Sequence, residues 1–124
     1  MKKIIKTDKA PEAIGPYSQA VVAGDFIFTA GQIALSPETG EIGGDVSQQT
    51  KQVLENIKAI IEAAGAGCAS VIKTTVYLTT PEHFTPMNEV YAHYFSNEHP
   101  ARVTVFVSSL PKGALVEIDA IAQL

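Results

Sequence analysis

The chain has no tryptophan and a single cysteine, Cys68. One thiol excludes an internal disulfide and fits a reducing compartment. Cys68 sits just past the glycine-rich stop Gly65-Ala66-Gly67, where a small packed residue is the better reading than a nucleophile. No apolar run approaches the ~20 residues that span a bilayer, and Met1–Lys6 carries lysines without an apolar segment behind them. The chain therefore reads as soluble and cytoplasmic, without a secretory leader. No block of like charge is longer than Lys2-Lys3, and 13 acidic residues face 9 basic ones, a net charge of -4. Nucleic acid as the main partner needs a cationic face, which this balance does not provide. The common catalytic signatures are missing too: no G-x-S-x-G elbow, no P-loop and no H-E-x-x-H.

What is present suits one compact α+β domain over residues 1–124, with 46% hydrophobic and 18% charged residues. Such a small domain buries a modest fraction of its surface. The slightly apolar balance (mean hydropathy +0.14) makes a homo-oligomer the economical way to cover surplus strand surface.

Two helices and a set of strands can be read from periodicity. Val46, Val53, Leu54, Ile57, Ile60, Ile61 and Ala64 recur on one helical face. Asp45 and Gln48 form a capping-box pair, and Gly65 is a natural terminator. The second helix is expected to open at Thr85-Pro86, as N-cap and N1 proline, and to bury Met87, Val90, Tyr91, Tyr94 and Phe95. Strands are expected at 4–6, 18–23, 26–30, 71–78, 102–107 and 115–122, with Gly24-Asp25 as a hairpin turn and Ile72, Thr74, Val76 and Leu78 sharing a face. The order β-β-β-α-β-α-β-β predicts a mixed sheet covered on one face by two helices.

Candidate chemistry is sparse. Glu89, His93 and His99 lie near one another in sequence, but surface histidines are a better reading than a metal site. Tyr17, after the rigid Gly15-Pro16, either plugs the core edge or walls a pocket. Arg102 opens an otherwise apolar strand and Glu117 lies between Val116 and Ile118 in another. An ionised residue in such a strand is costly if buried unpaired. The two therefore face solvent, pair with each other, or serve a site. Asp119 shares a face with Glu117, so a solvated acidic stripe is an equal alternative.

Several blocks together carry a specific resemblance: Ile14-Gly15-Pro16-Tyr17-Ser18-Gln19, Thr29-Ala30-Gly31-Gln32-Ile33, Lys73-Thr74-Thr75-Val76-Tyr77-Leu78, Pro100-Ala101-Arg102, and Leu110-Pro111-Lys112-Gly113 followed by Val116-Glu117-Ile118-Asp119-Ala120. In order and spacing, from about Ile4 to Ala122, they closely resemble the RidA/YjgF family. The resemblance implies a chorismate-mutase-like fold, a homotrimer with clefts between subunits, and no cofactor or metal. It also implies hydrolytic deamination of 2-iminobutanoate and 2-iminopropanoate, which protects pyridoxal-phosphate enzymes from these reactive products. On that resemblance Arg102 anchors the substrate, Glu117 orients water, Tyr17 belongs to the pocket and the Gly31 backbone lies against the ligand. Asn88 matches a pocket asparagine, the preferred reading, with bonding to free backbone groups near the helix start as the alternative. Ala30 stands where some members have serine, and Thr104 where many have cysteine, so both bear on substrate choice. Two other classes stay open: a non-catalytic trimer that binds 2-oxo acids, and RNA cleavage, against which the acidic charge counts.

Overall fold

A computed structural model describes residues 1–124. Strands β1 (Lys2–Ile5), β2 (Ala20–Ala23) and β3 (Phe26–Thr29) come first, then helix α1 (Val46–Ala63), strand β4 (Val71–Leu78), helix α2 (Phe84–Tyr94), and strands β5 (Ala101–Phe106) and β6 (Val116–Gln123). The six strands form one mixed sheet in the order β1-β2-β3-β6-β4-β5. Only the β4–β5 pair is parallel, and α2 supplies the crossover that parallel neighbours require.

Helix α1 follows its sequence signals closely. The Asp45 side chain accepts from the Gln48 amide, and the Gln48 side chain accepts from the Asp45 amide, both at 2.9 Å. Gly65, at φ 97°, ends the helix in a conformation that suits glycine. Val53, Leu54, Ile57, Ile60 and Ile61 are buried against the sheet, together with Ile27, Val76, Leu78, Val116 and Ile118. Each such side chain contributes roughly 1.5–3 kcal/mol by leaving water. The hairpin turn lies at Gly24-Asp25, where Gly24 takes φ 58° between the paired Ala23 and Phe26.

Two sequence expectations need correction. Helix α2 does not start at Thr85. Thr80 caps a preceding short 3-10 turn, its hydroxyl accepting from the Glu82 amide with Pro81 next to it, and that turn runs straight into α2. Thr85 and Pro86 fall inside the first helical turn, where a proline is tolerated because its missing N–H would have no partner. Nor does Ile72 share a face with Thr74. A bulge between Val71 and Lys73 shifts the β4–β6 register, so Val71 is buried and Ile72 is 42% exposed.

The sheet face away from the helices is bare. Strand alternation places Phe28, Ile121, Val103, Val105 and Tyr77 there. Phe28 and Val103 are each 44% exposed. Glu117 and Asp119 occupy the same face, opposite Tyr77 and Thr75.

Candidate active site

The site residues fall into two groups, each built by a different part of the sheet. The first centres on Glu117 in β6. The start of this strand is fixed by Gln49 of α1, whose side-chain oxygen accepts from the Leu115 amide at 2.9 Å. Beyond β3 the chain runs along β6, and Gln32 and Ile118 exchange backbone hydrogen bonds of 2.8 and 3.1 Å. The buried Asn56 amide secures the next residues by donating to the Ile33 and Leu35 carbonyls. Gly31 thereby lies against the Glu117 side chain. A methyl group on Gly31 would overlap Glu117 Oε2 and come within 3.0 Å of Cδ and 3.3 Å of Cγ. Only glycine leaves that carboxylate where it is.

Tyr17 reaches the same place from the N-terminal side. The Gly15-Pro16 turn is closed by a 2.8 Å bond from the Tyr17 amide to the Gly15 carbonyl. Gln19 is buried and clasps the preceding segment, accepting from the Thr7 amide and donating to the Thr7, Ala10 and Pro11 carbonyls. Tyr17, Gly31, Pro111 and Glu117 then line one small cleft of about 80 Å³. Ala30 is half-buried beside it and donates its amide to the Gln19 carbonyl at 2.8 Å.

Burial pushes the Glu117 carboxyl above the ordinary carboxylate range, and the neighbouring charge of Asp119 pushes it further the same way. Asp119 accepts a 2.9 Å hydrogen bond from the Tyr77 hydroxyl. A carboxyl so placed is a stronger base than a solvated one.

The second group centres on Arg102 in β5. Its Nη1 donates to Asn88 Oδ1 at 2.7 Å. Its Cζ lies 4.9 Å from the Tyr91 ring centre and 5.6 Å from that of Phe84. Both distances suit cation–ring attraction. Asn88, Tyr91, His99 and Arg102 line an open cleft, and no acidic side chain neutralises the guanidinium. Thr104 follows two residues later, with its hydroxyl oxygen buried and without a hydrogen-bond partner.

Within one chain these groups stay apart. Arg102 is opposite Thr74, on the helix-covered face, whereas Glu117 is opposite Tyr77, on the bare face. Alternation along the strands fixes that separation. Arg102 and Glu117 therefore do not pair with each other, which was one of the readings left open by sequence. Of the other site candidates, the structure gathers Tyr17, Ala30 and Gly31 near Glu117, and Asn88 near Arg102. Asn88 spends its side-chain oxygen on Arg102 and not on free helix-start amides.

Sequence reading missed the parts played by Gln19, Phe84 and Tyr91. Tyr91 looked like an ordinary member of the buried stripe. A polar Gln19 directly before an apolar strand was the one available signal for the N-terminal clasp.

Sequence and fold match known proteins along nearly the whole chain. Residues 7–124 match the sequence model of the family described as Endoribonuclease L-PSP. A RutC family protein of Pyrococcus horikoshii is 61% identical over 98% of each chain. TdcF of Escherichia coli, named as a candidate reactive intermediate deaminase, is 49% identical over 98% of this chain and 97% of its own. The crystal structure of TdcF with bound serine superimposes with a TM-score of 0.94 at 48% identity, covering 98% of both chains. RidA from an Antarctic Psychrobacter gives 0.96 at 46% identity, over 98% of this chain and 99% of its own.

Proposed function

The chain belongs to the Endoribonuclease L-PSP family, the RidA/YjgF proteins, and from that premise we propose that it hydrolyses 2-imino acids to 2-oxo acids and ammonia. Its substrates are 2-iminobutanoate and 2-iminopropanoate, the short products that pyridoxal-phosphate dehydratases release into the cytoplasm. The observation that carries the reading is the state of Arg102. One edge of its guanidinium is tied to a neutral amide, no acidic group satisfies it, and the rest of the fork opens on a cleft. A planar fork matches a carboxylate in both charge and geometry.

The reaction needs little beyond placement. A protonated imine is already electrophilic at carbon. Glu117 orients a water molecule and takes its proton as the C–O bond forms. Glu117 returns that proton to nitrogen. As the C–N bond breaks, the new hydroxyl gives up its own proton to the departing nitrogen, so protonated imine and water become oxo acid and ammonium. General-base help of this kind contributes roughly 10²–10⁴-fold. Because burial and the neighbouring Asp119 raise the Glu117 carboxyl, it is a better proton acceptor than an ordinary carboxylate.

Since Arg102 and Glu117 occupy opposite faces, we further propose that a working cleft joins two chains of a homotrimer. One chain contributes Arg102, Asn88 and Thr104, and its neighbour contributes Tyr17, Ala30, Gly31 and Glu117. The bare apolar face is the surface that such an assembly would cover. An unpartnered Thr104 hydroxyl and a methyl at Ala30, in place of other groups, would tune which imine fits best.

The test couples the purified protein to threonine dehydratase in the presence of semicarbazide, which traps the imine. The protein is expected to lower the yield of semicarbazone, and Arg102→Ala to restore it. Equal yields with both proteins would overturn the deaminase reading. If calorimetry then showed 2-oxobutanoate binding to the wild type alone, a non-catalytic carboxylate binder would take its place.

A further inference from the structure

Tyr91 is buried in the core as its helical spacing requires, but its ring also serves Arg102. The guanidinium carbon sits 4.9 Å from the centre of that ring. At the other end of the side chain, the Tyr91 hydroxyl lies 2.6 Å from Thr74 Oγ1, in a buried hydrogen bond. Thr74 is the cross-strand partner of Arg102 in the parallel β4–β5 pair. Phe95 packs on the same ring, with centres 4.7 Å apart and planes tilted by 50°. One aromatic side chain thus spans from the residue beside Arg102 to the face of the guanidinium itself.

This arrangement does more than fill space. A cation over an aromatic face is held at a preferred height and orientation by the ring's quadrupole. The hold fixes the guanidinium plane only if the ring itself cannot swing. The Thr74 hydroxyl provides the restraint: a ring rotated away would leave two buried hydroxyls without partners. Asn88 then fixes rotation within the plane by taking one edge of the fork.

We propose that Tyr91 is a positioning residue for Arg102, anchored by Thr74, and that their hydrogen bond sets the angle at which the guanidinium fork meets a substrate carboxylate. This rests on the reading of Arg102 as the carboxylate anchor. It concerns binding and orientation, and leaves the proton transfer at Glu117 untouched.

The experiment compares wild type, Tyr91→Phe, Thr74→Val, the double variant, and Tyr91→Phe placed in an Arg102→Lys background. Melting temperature, calorimetric affinity for 2-oxobutanoate, and KM and kcat for the imine are measured on each. Both single variants are expected to weaken oxo-acid binding and raise KM by roughly 3- to 10-fold, with kcat within about twofold. The double variant removes both hydroxyls, so its melting temperature recovers while binding stays weak. In the Arg102→Lys background Tyr91→Phe adds nothing further, because the group it aligns is gone. If affinity simply tracks melting temperature across the set, Tyr91 is a packing residue and the proposal is overturned. If the wild type binds 2-oxobutanoate and Tyr91→Phe binds it equally well, the positioning role alone fails. If the wild type neither binds it nor consumes imine, the underlying reading fails and the proposal falls with it.

Discussion

Replacing Gly31 by alanine should disable turnover while leaving the fold standing. Gly31 does not use a left-handed backbone conformation, so alanine is acceptable there on backbone grounds. What it lacks is room. The added methyl group would overlap Glu117 Oε2 and press on Cδ and Cγ at 3.0 and 3.3 Å, so the carboxylate must move. Ordinary contact between such atoms lies near 3.5 Å, so the shift needed at the carboxylate is on the order of 1 Å. A misplacement of that size can cost about 10²-fold in rate, and full loss of a general base costs roughly 10²–10⁴-fold. The stability effect should be small. The displaced atoms end a half-buried side chain that can swing outward, and alanine restricts the unfolded chain, which offsets about 0.4–1 kcal/mol of any penalty. We therefore expect kcat to fall about 100-fold in the coupled trapping assay, with KM changed by less than about threefold, because Arg102 still grips the carboxylate. The melting temperature should stay close to that of the wild type. Activity within about threefold of wild type would refute the role given to Glu117. A loss that appears only together with unfolding would refute the claim that Gly31 serves the site and not the fold.

Two further outcomes follow from the same geometry. The Glu117 carboxyl is raised above 4.5 by burial and by Asp119, so the folded chain holds that proton more tightly than the unfolded chain does. Stability contributed by the protonated form is complete below 4.5 and is lost as pH climbs through the raised value. Glu117→Gln cannot ionise, so it should melt above wild type near neutrality and level with it in acid, while its turnover is lost at every pH; thermal melts at the two pH values check this. Asp45→Ala breaks the reciprocal cap with Gln48 and should lower stability by about 0.5–2 kcal/mol in urea denaturation, with kcat unchanged.

The sequence and the structure part company at instructive places. Helix α1 was legible because its cap, its period and its terminating glycine agree. Helix α2 was misjudged at its start because Thr80-Pro81 and Thr85-Pro86 satisfy the same capping rule five residues apart, and only packing decides between them. The bulge at Val71/Lys73 left no mark in a strand where every residue from Val71 to Tyr77 is β-branched or amphipathic. Glu117, Gly31 and Tyr17 come together through the antiparallel placement of the Gln32 segment along β6, a long-range pairing that local pattern does not encode. The alternation within each strand was readable, but that Arg102 and Glu117 face opposite ways follows only once β4 is seen to separate β5 from β6. Tyr91 was visible as a buried aromatic, and its second contact was not, because spacing reports which face is buried and not what lies against it.

The two carboxylates on the bare sheet face carry one more consequence, which concerns the life of a newly made chain. Phe28, Ile121, Val103 and Val105 form a broad β-surface of the kind that sticks to other unfinished proteins. Glu117 and Asp119 interrupt that surface with two like charges at alternate positions of a central strand. Charges so placed act as gatekeepers, since stacking a foreign sheet on them would strand both without water. On the proposed mechanism, the acid that serves chemistry would also guard a single chain against aggregation, and substitutions that improve packing at this face should be expected to cost solubility.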